Sequence, residues 1–359
     1  MSPGVARRED LASLTGYHSP QVHAPVRLNT NESPYPPPDT WREALAEAVR
    51  SADLHRYPDR DAAALRRALA AAHGVTPEEI FCANGSNEVL QCLLLAYGGA
   101  GRRVAVFEPT YALHSHIAKI VGTVVVTGGR TEAFTVDPDA ASALLASELP
   151  VITFLCSPNN PTGAAEAADV VERLLVEAPG LLVVDEAYGQ FSPRSALELR
   201  RLRPDRLVVV RTFSKTWAMA GMRLGYLVAD PEVVEACAAT ALPYHLSTLT
   251  QTAGLLAIGH EEQMLARVAQ ITEERDRMAA ALAHLDVEVW PSEANFILFR
   301  PGAGAASEVW QALLSHGVLV RDCSSWNGLG GCLRVTVGTP EENSAFLGAL
   351  DAVLRAVPT

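Results

Sequence analysis

Nowhere does the chain hold the roughly 18 consecutive apolar residues that a membrane-crossing helix needs, so no span is expected. Met1 to Asp10 carry charges of both signs and no apolar stretch, which argues against a signal peptide. None of the six cysteines, Cys82, Cys92, Cys156, Cys237, Cys323 and Cys332, forms a CxxC pair. Most sit inside apolar runs, where a free thiol behaves as a small hydrophobe, so a reducing, cytoplasmic compartment is expected and no metal site is. Positive charge is in short supply: 29 Lys and Arg against 41 Asp and Glu leave a net charge of −12, which disfavours nucleic acid or an anionic membrane as partner. The chain also lacks GxxxxGK[ST], any internal repeat and any low-complexity tract, which removes a P-loop and a solenoid from consideration.

What is present is a core. Hydrophobic residues make up 48% of the 359 positions and charged residues 19%, enough to fill about two domains. Residues 1–40, rich in Pro, Asn, Ser and Thr, read as an extended arm, with Pro34, Pro36, Pro37 and Pro38 forbidding a helix. From residue 41 to 243, apolar strand-like runs (Arg103 to Phe107, Val151 to Cys156, Leu181 to Val184, Leu207 to Val210, Leu224 to Val228) alternate with helical stretches such as Asn87 to Tyr97, Ala164 to Val176 and Ser195 to Leu202. That alternation predicts an α/β unit around a mostly parallel sheet covered on both faces. Residues 244–359 change rhythm: helices over Gln251 to Ile258 and Gln263 to Leu285 precede four short strands, predicting a smaller α+β unit.

The residues that suggest chemistry cluster where strands end. Arg211-Thr-Phe-Ser-Lys215 closes one strand, and Arg223 follows eight residues after the lysine, in a segment with the look of a helix start. Open α/β sheets place ligands at that edge, and an amine flanked by hydroxyls and an arginine suits Schiff-base chemistry on a phosphorylated cofactor. Ser86 and Asn87 open a helix whose first N–H groups can meet a phosphate, or can simply cap it. Tyr111, after Pro109-Thr110, puts a ring at the ligand edge. Ser157-Pro-Asn-Asn160-Pro-Thr-Gly163 is a turn directly on a strand end. Leu181-Leu-Val-Val-Asp185-Glu-Ala-Tyr188 ends a buried strand in a carboxylate that can pair with a pyridinium nitrogen; read instead as a magnesium acid, it lacks a P-loop partner.

In that order, Asn-Pro-Thr-Gly, Asp-Glu-Ala-Tyr and Ser-Lys make the chain resemble the fold-type-I pyridoxal-phosphate aminotransferases. The arm Leu28-Asn-Thr-Asn-Glu-Ser-Pro-Tyr35 and the segment Leu333-Arg-Val-Thr-Val-Gly-Thr339 are most similar to the histidinol-phosphate aminotransferase group. The resemblance implies a homodimer, pyridoxal phosphate as cofactor, an amino donor and a 2-oxo acid acceptor, with histidinol phosphate and 2-oxoglutarate as the expected pair. It implies that Lys215 holds the cofactor and shuttles a proton, that Asp185 pairs with the ring nitrogen, and that Tyr188 and Asn160 bond its 3′ oxygen. Tyr111 would stack on the ring, while Ser86, Asn87, Thr212, Ser214 and Arg223 hold its phosphate and Tyr57 reaches in from the partner subunit. Arg334, Arg321, Tyr17 and Asn31 would serve the substrate. Ser33 departs from the asparagine the group usually carries, and His114 and His116 read as a packed or solvated helix face ahead of the alternative, contact with substrate. An aromatic amino-acid aminotransferase and a phosphothreonine-type decarboxylase share the same scaffold; a non-catalytic regulator would need a DNA-binding domain for which no room is seen before Leu28.

Overall fold

The structure, a computed structural model, describes residues 22–302 and 304–356 together with residues 5, 8–12, 14 and 16. In chain order the strands are β1 (Val26–Leu28), β2 (Ile80–Ala83), β3 (Arg103–Glu108), β4 (Val124–Gly129), β5 (Ile152–Cys156), β6 (Leu181–Asp185), β7 (Leu207–Thr212), β8 (Gly225–Val228), β9 (Val287–Val289), β10 (Phe296–Pro301), β11 (Val318–Asp322) and β12 (Leu333–Thr336). The α-helices are α1 (Asp39–Ser51), α2 (Ala63–His73), α3 (Ser86–Tyr97), α4 (Leu113–Ile120), α5 (Pro138–Glu148), α6 (Ala168–Glu177), α7 (Pro231–Thr240), α8 (Thr248–Ile258), α9 (Glu261–Leu282), α10 (Ala306–Ser315) and α11 (Pro340–Ala356).

Seven strands form one sheet in the order β2-β8-β7-β6-β5-β3-β4, in which β8 alone runs against its neighbours. Along β6, Leu181 and Val183 face one buried cluster while Leu182 and Val184 face another, the period of two that a doubly covered strand requires. Apolar faces of α3, α4 and α7 close the first side, and α5 and α6 close the second. The other sheet, β1-β11-β12-β10-β9, is antiparallel except where β1 joins β11 in parallel. Its core, built around Phe296, Phe299, Val335 and Phe346, is covered by α9, α10 and α11. The arm is thus stitched by β1 into the C-terminal sheet, Val26 lying opposite Val318.

Several elements differ from the sequence expectation. β2 and β4 were not foreseen: the first has four residues, and the second is an edge strand ending in Gly128-Gly129. Also unforeseen, α5 and α7 each begin with an Asp cap followed by Pro, a legible start signal: Asp137 accepts from the N–H groups of Asp139 and Ala140, and Asp230 accepts from that of Glu232. The helix expected over Ser195 to Leu202 is only a 3-10 turn, Ala196–Leu199, whose first N–H and the preceding Ser195 hydroxyl donate to the buried Glu186 carboxylate. No α-helix starts after Lys215. Ala218 and Arg223 take positive φ angles of 55° and 51°, which a right-handed helix excludes, and a single 3-10 turn, Ala220–Met222, lies between them.

Candidate active site

Because β3, β5, β6 and β7 run in parallel, the loops that follow them open on one edge of the sheet. They meet there around a cavity of about 420 Å³ lined by Asn31, Ser86, Asn87, Tyr111, Asn160, Asp185, Tyr188, Thr212, Ser214, Lys215, Arg223 and Arg334. Twelve of the residues singled out by sequence therefore share one cavity. Arg321 lines a neighbouring cavity instead, Tyr57 is 81% exposed and lines neither, and Tyr17 lies outside the described residues.

Arg223 anchors one part of the site. Its Nη1 donates to Ser214 Oγ at 3.3 Å and to the Ala220 carbonyl at 3.1 Å. The Thr212 hydroxyl donates to the same Ser214 Oγ at 3.0 Å. Gly85, at φ 81°, begins α3 without any side-chain cap, and a Cβ there would fall 2.5 Å from the Arg223 guanidinium. An arginine, two hydroxyls and an uncapped helix start make a cradle for a phosphate dianion. Asn87 does not cap α3; its Oδ1 accepts instead from the Tyr111 hydroxyl at 2.9 Å, which fixes that ring.

Asp185, 1% exposed, accepts from the Ala187 N–H through Oδ1 at 3.0 Å, and His114 Nε2 stands 3.0 Å from its Oδ2. His114 is the packed residue that the sequence reading favoured, fully buried, stacked on Phe154 at 4.7 Å with planes 3° apart, and edge-on to Tyr111; what that reading did not foresee is its contact with Asp185. A usable signal existed: His114 is three residues after Tyr111, one helical turn on, and so shares its face. His116 lies partly exposed in the neighbouring cavity.

Tyr188 is held by the arm. Asn31 Nδ2 donates to the Tyr188 oxygen at 2.9 Å, leaving the phenol its own hydrogen to donate, and burial pushes the phenol pKa up so that it keeps that hydrogen. Asn31 is itself fixed, at φ 54°, by the Thr336 hydroxyl donating to its Oδ1 at 3.0 Å. Arg334 donates to Asn160 Oδ1 and, at 2.9 Å, to the Asn29 carbonyl, while its buried Nε finds no partner among the described residues.

Lys215 is one of two lysines in the chain. Its Nζ donates to the Thr30 carbonyl at 3.1 Å. Burial, followed by the nearby Arg334, pulls its pKa down to about 7, with Glu32 opposing. The folded value lies below the unfolded one, so the unfolded chain binds the extra proton between pH 7 and about 10. Stability of the cofactor-free protein should therefore rise with pH through that window. Thermal unfolding of the cofactor-free Lys215→Met variant is expected at a higher temperature than wild type near pH 6, with the gap closing towards pH 10. A gap independent of pH would contradict the assignment.

Pyridoxal phosphate fits this donor set: a phosphate cradle, a buried carboxylate for a basic ring nitrogen, a phenol and an amide for a ring oxygen, and a readily deprotonated amine for its aldehyde carbon. Fold and site together define an aminotransferase of class I and II, and the chain belongs to that family, which matches residues 24–350. Within it, the chain belongs with the histidinol-phosphate aminotransferases. One from Corynebacterium diphtheriae is 45% identical over 357 residues, covering 97% of this chain and 96% of that relative. A histidinol-phosphate aminotransferase from Sinorhizobium meliloti, solved with pyridoxal 5′-phosphate, superposes with a TM-score of 0.90 at 24% identity over 99% of both chains. An L-threonine-O-3-phosphate decarboxylase from Porphyromonas gingivalis shares the fold at a TM-score of 0.79 and 26% identity, covering 92% of this chain and 99% of that one. No helix among the described residues is long and apolar enough to cross a membrane.

Proposed function

We propose that this pyridoxal-phosphate transaminase moves the amino group of histidinol phosphate to 2-oxoglutarate, giving imidazole acetol phosphate and glutamate. The observation that carries the reading is a pair of buried arginines. Arg321 and Arg334 stand directly opposite each other in the β11–β12 ladder, 8% and 5% exposed, each lining one of two cavities. Two cationic anchors side by side suit a site that must take a carboxylate in one half-reaction and a phosphate in the other. Similarity to the Corynebacterium histidinol-phosphate aminotransferase supports histidinol phosphate as the donor.

In this reading Arg334 takes the acceptor carboxylate and Arg321 the donor phosphate, with Asn31 helping to shape the substrate side. Lys215 Nζ removes the proton from the donor Cα and returns it on the cofactor side; its lowered pKa leaves a large share of the amine free near neutrality. Bound pyridoxal phosphate supplies the sink for the electron pair that the departing proton leaves. Asp185 would pair with its ring nitrogen, Tyr188 and Asn160 would hold its 3′ oxygen, Tyr111 would stack on it, and Ser86, Asn87, Thr212, Ser214 and Arg223 would hold its phosphate.

A homodimer belongs to the same proposal. Leu54, Tyr57 and Leu242 are strongly exposed, and Tyr57 stacks on Tyr244 at 4.6 Å, an aromatic and aliphatic patch suited to a second copy and to Tyr57 entering the partner's site. So do the division into an arm (1–40), a large unit (41–243) and a small unit (244–359), and a cytoplasmic location, which six free buried cysteines support.

The test is spectral. Histidinol phosphate alone should convert the visible absorption of the cofactor-loaded protein to the near-ultraviolet form, and 2-oxoglutarate should restore it. Conversion by phenylalanine but not by histidinol phosphate would move the assignment to an aromatic aminotransferase, and release of carbon dioxide without need of a 2-oxo acid would move it to a decarboxylase.

A further inference from the structure

Two arginines directly opposite on an antiparallel ladder repel each other, an arrangement that sheets ordinarily avoid. Each guanidinium here lies against its own aromatic ring: Arg334 over Phe296 at 5.1 Å, and Arg321 over Trp326 at 5.5 Å. Phe296 belongs to the neighbouring strand β10 and is fully buried, so its place is set by the sheet. Trp326 is different. It stands on the loop between β11 and β12 and lines, with Arg321, the second cavity of about 510 Å³.

That loop is fastened at both ends and at its tip. The Cys323 N–H donates to the Cys332 carbonyl at 3.1 Å and closes its neck, while the N–H groups of Trp326 and Leu329 donate to the carbonyls of Cys323 and Trp326. Cys323, Leu329 and Cys332 are fully buried against Leu298 and Phe134, with Trp326 packed beside them. At the tip, Asn327 Nδ2 donates to Glu108 Oε2 at 3.0 Å, and a Cβ on Gly328 would sit 3.3 Å from Pro109 Cδ. The loop therefore grips the turn after β3 that leads to Tyr111, and it holds the Trp326 ring at a set position relative to the reaction cavity.

We propose that Trp326 is a positioning residue: its ring, locked by the Asn327–Glu108 hydrogen bond, holds the Arg321 guanidinium in the second cavity and so sets the affinity for the phosphate-bearing donor. This rests on the donor assigned above. Arg334, whose partners are Asn160, the Asn29 carbonyl and Phe296, is fixed independently, so the acceptor side does not depend on Trp326.

The two half-reactions separate these roles. Stopped-flow conversion of the cofactor-loaded enzyme is followed with histidinol phosphate and, separately, with glutamate. For Trp326→Ala the half-saturating concentration of histidinol phosphate is expected to rise about 10-fold, within the range of a partly desolvated cation–π contact, with the limiting rate little changed and glutamate within about twofold of wild type. Trp326→Phe, which keeps an aromatic face, should recover most of the loss, and Asn327→Ala should show a smaller loss in the same direction. Equal losses with both donors, or no loss with either, would overturn the proposal, as would failure of Trp326→Phe to recover it. Should Trp326→Ala not fold, the contrast between wild type, Trp326→Phe and Asn327→Ala decides alone: no donor-selective loss in Asn327→Ala overturns it. A wild-type enzyme that ignores histidinol phosphate while reacting with glutamate would instead sink the functional reading itself, and this proposal with it.

Discussion

Replacing Lys215 with alanine is expected to lower the rate of amino transfer by about 10⁴-fold, the upper end of what one positioned general base contributes. The reason is geometric as well as chemical. Among the described residues Lys215 presents the only amine lining the reaction cavity, and the other lysine, Lys119, lies exposed near the end of α4 and faces the second cavity. Borohydride treatment of the cofactor-loaded protein should therefore fix the cofactor to the single peptide that contains Lys215, and Lys215→Ala should show no such attachment. Small primary amines in the buffer should restore part of the rate to the variant, since deleting the side chain opens space where an external base can stand. Attachment at Lys119, or a variant retaining more than a hundredth of the rate, would refute the role.

The second large effect is expected at Asp185. Asp185→Ala should cost about 10²- to 10³-fold in kcat, the scale on which a single preorganised electrostatic partner counts, and should weaken retention of the cofactor on dialysis. The carboxylate is held on both oxygens, by the Ala187 N–H and by His114, so its direction is not free to vary. His114→Phe keeps the stack on Phe154 and removes one hydrogen bond to the carboxylate. A smaller fall of about 10-fold is expected there, in line with the loss of one buried hydrogen bond to a charged group. A His114→Phe enzyme as impaired as Asp185→Ala would mean that the histidine does more than orient its neighbour.

Much of this protein was legible in its residues. Near-continuous apolar strands separated by helices announced a covered, mostly parallel sheet, because such strands must be dry on both faces. The Ser-Lys, Asp-Glu-Ala-Tyr and Asn-Pro-Thr-Gly groups were legible because each falls where an apolar run stops, and a parallel sheet sends all such ends to one edge. Capping signals at Asp137 and Asp230 were equally present and would have revealed α5 and α7.

Other facts depend on residues far apart in the chain and have no local mark. That β1 of the arm pairs with β11, that Asn31 reaches Tyr188 and Thr336, and that His114 faces Asp185 across 71 positions are decided only by tertiary packing. Arg321 and Arg334 read as two separate cations thirteen residues apart; the antiparallel register sets them face to face and each against an aromatic ring. Even the low pKa of Lys215 is a tertiary property, since burial and the approach of Arg334, not its neighbours in sequence, remove the proton. Sequence thus determined which side chains are available for the chemistry and on which strand ends they sit. Packing alone decided how they are aimed, because aim comes from long-range contacts that no local pattern encodes.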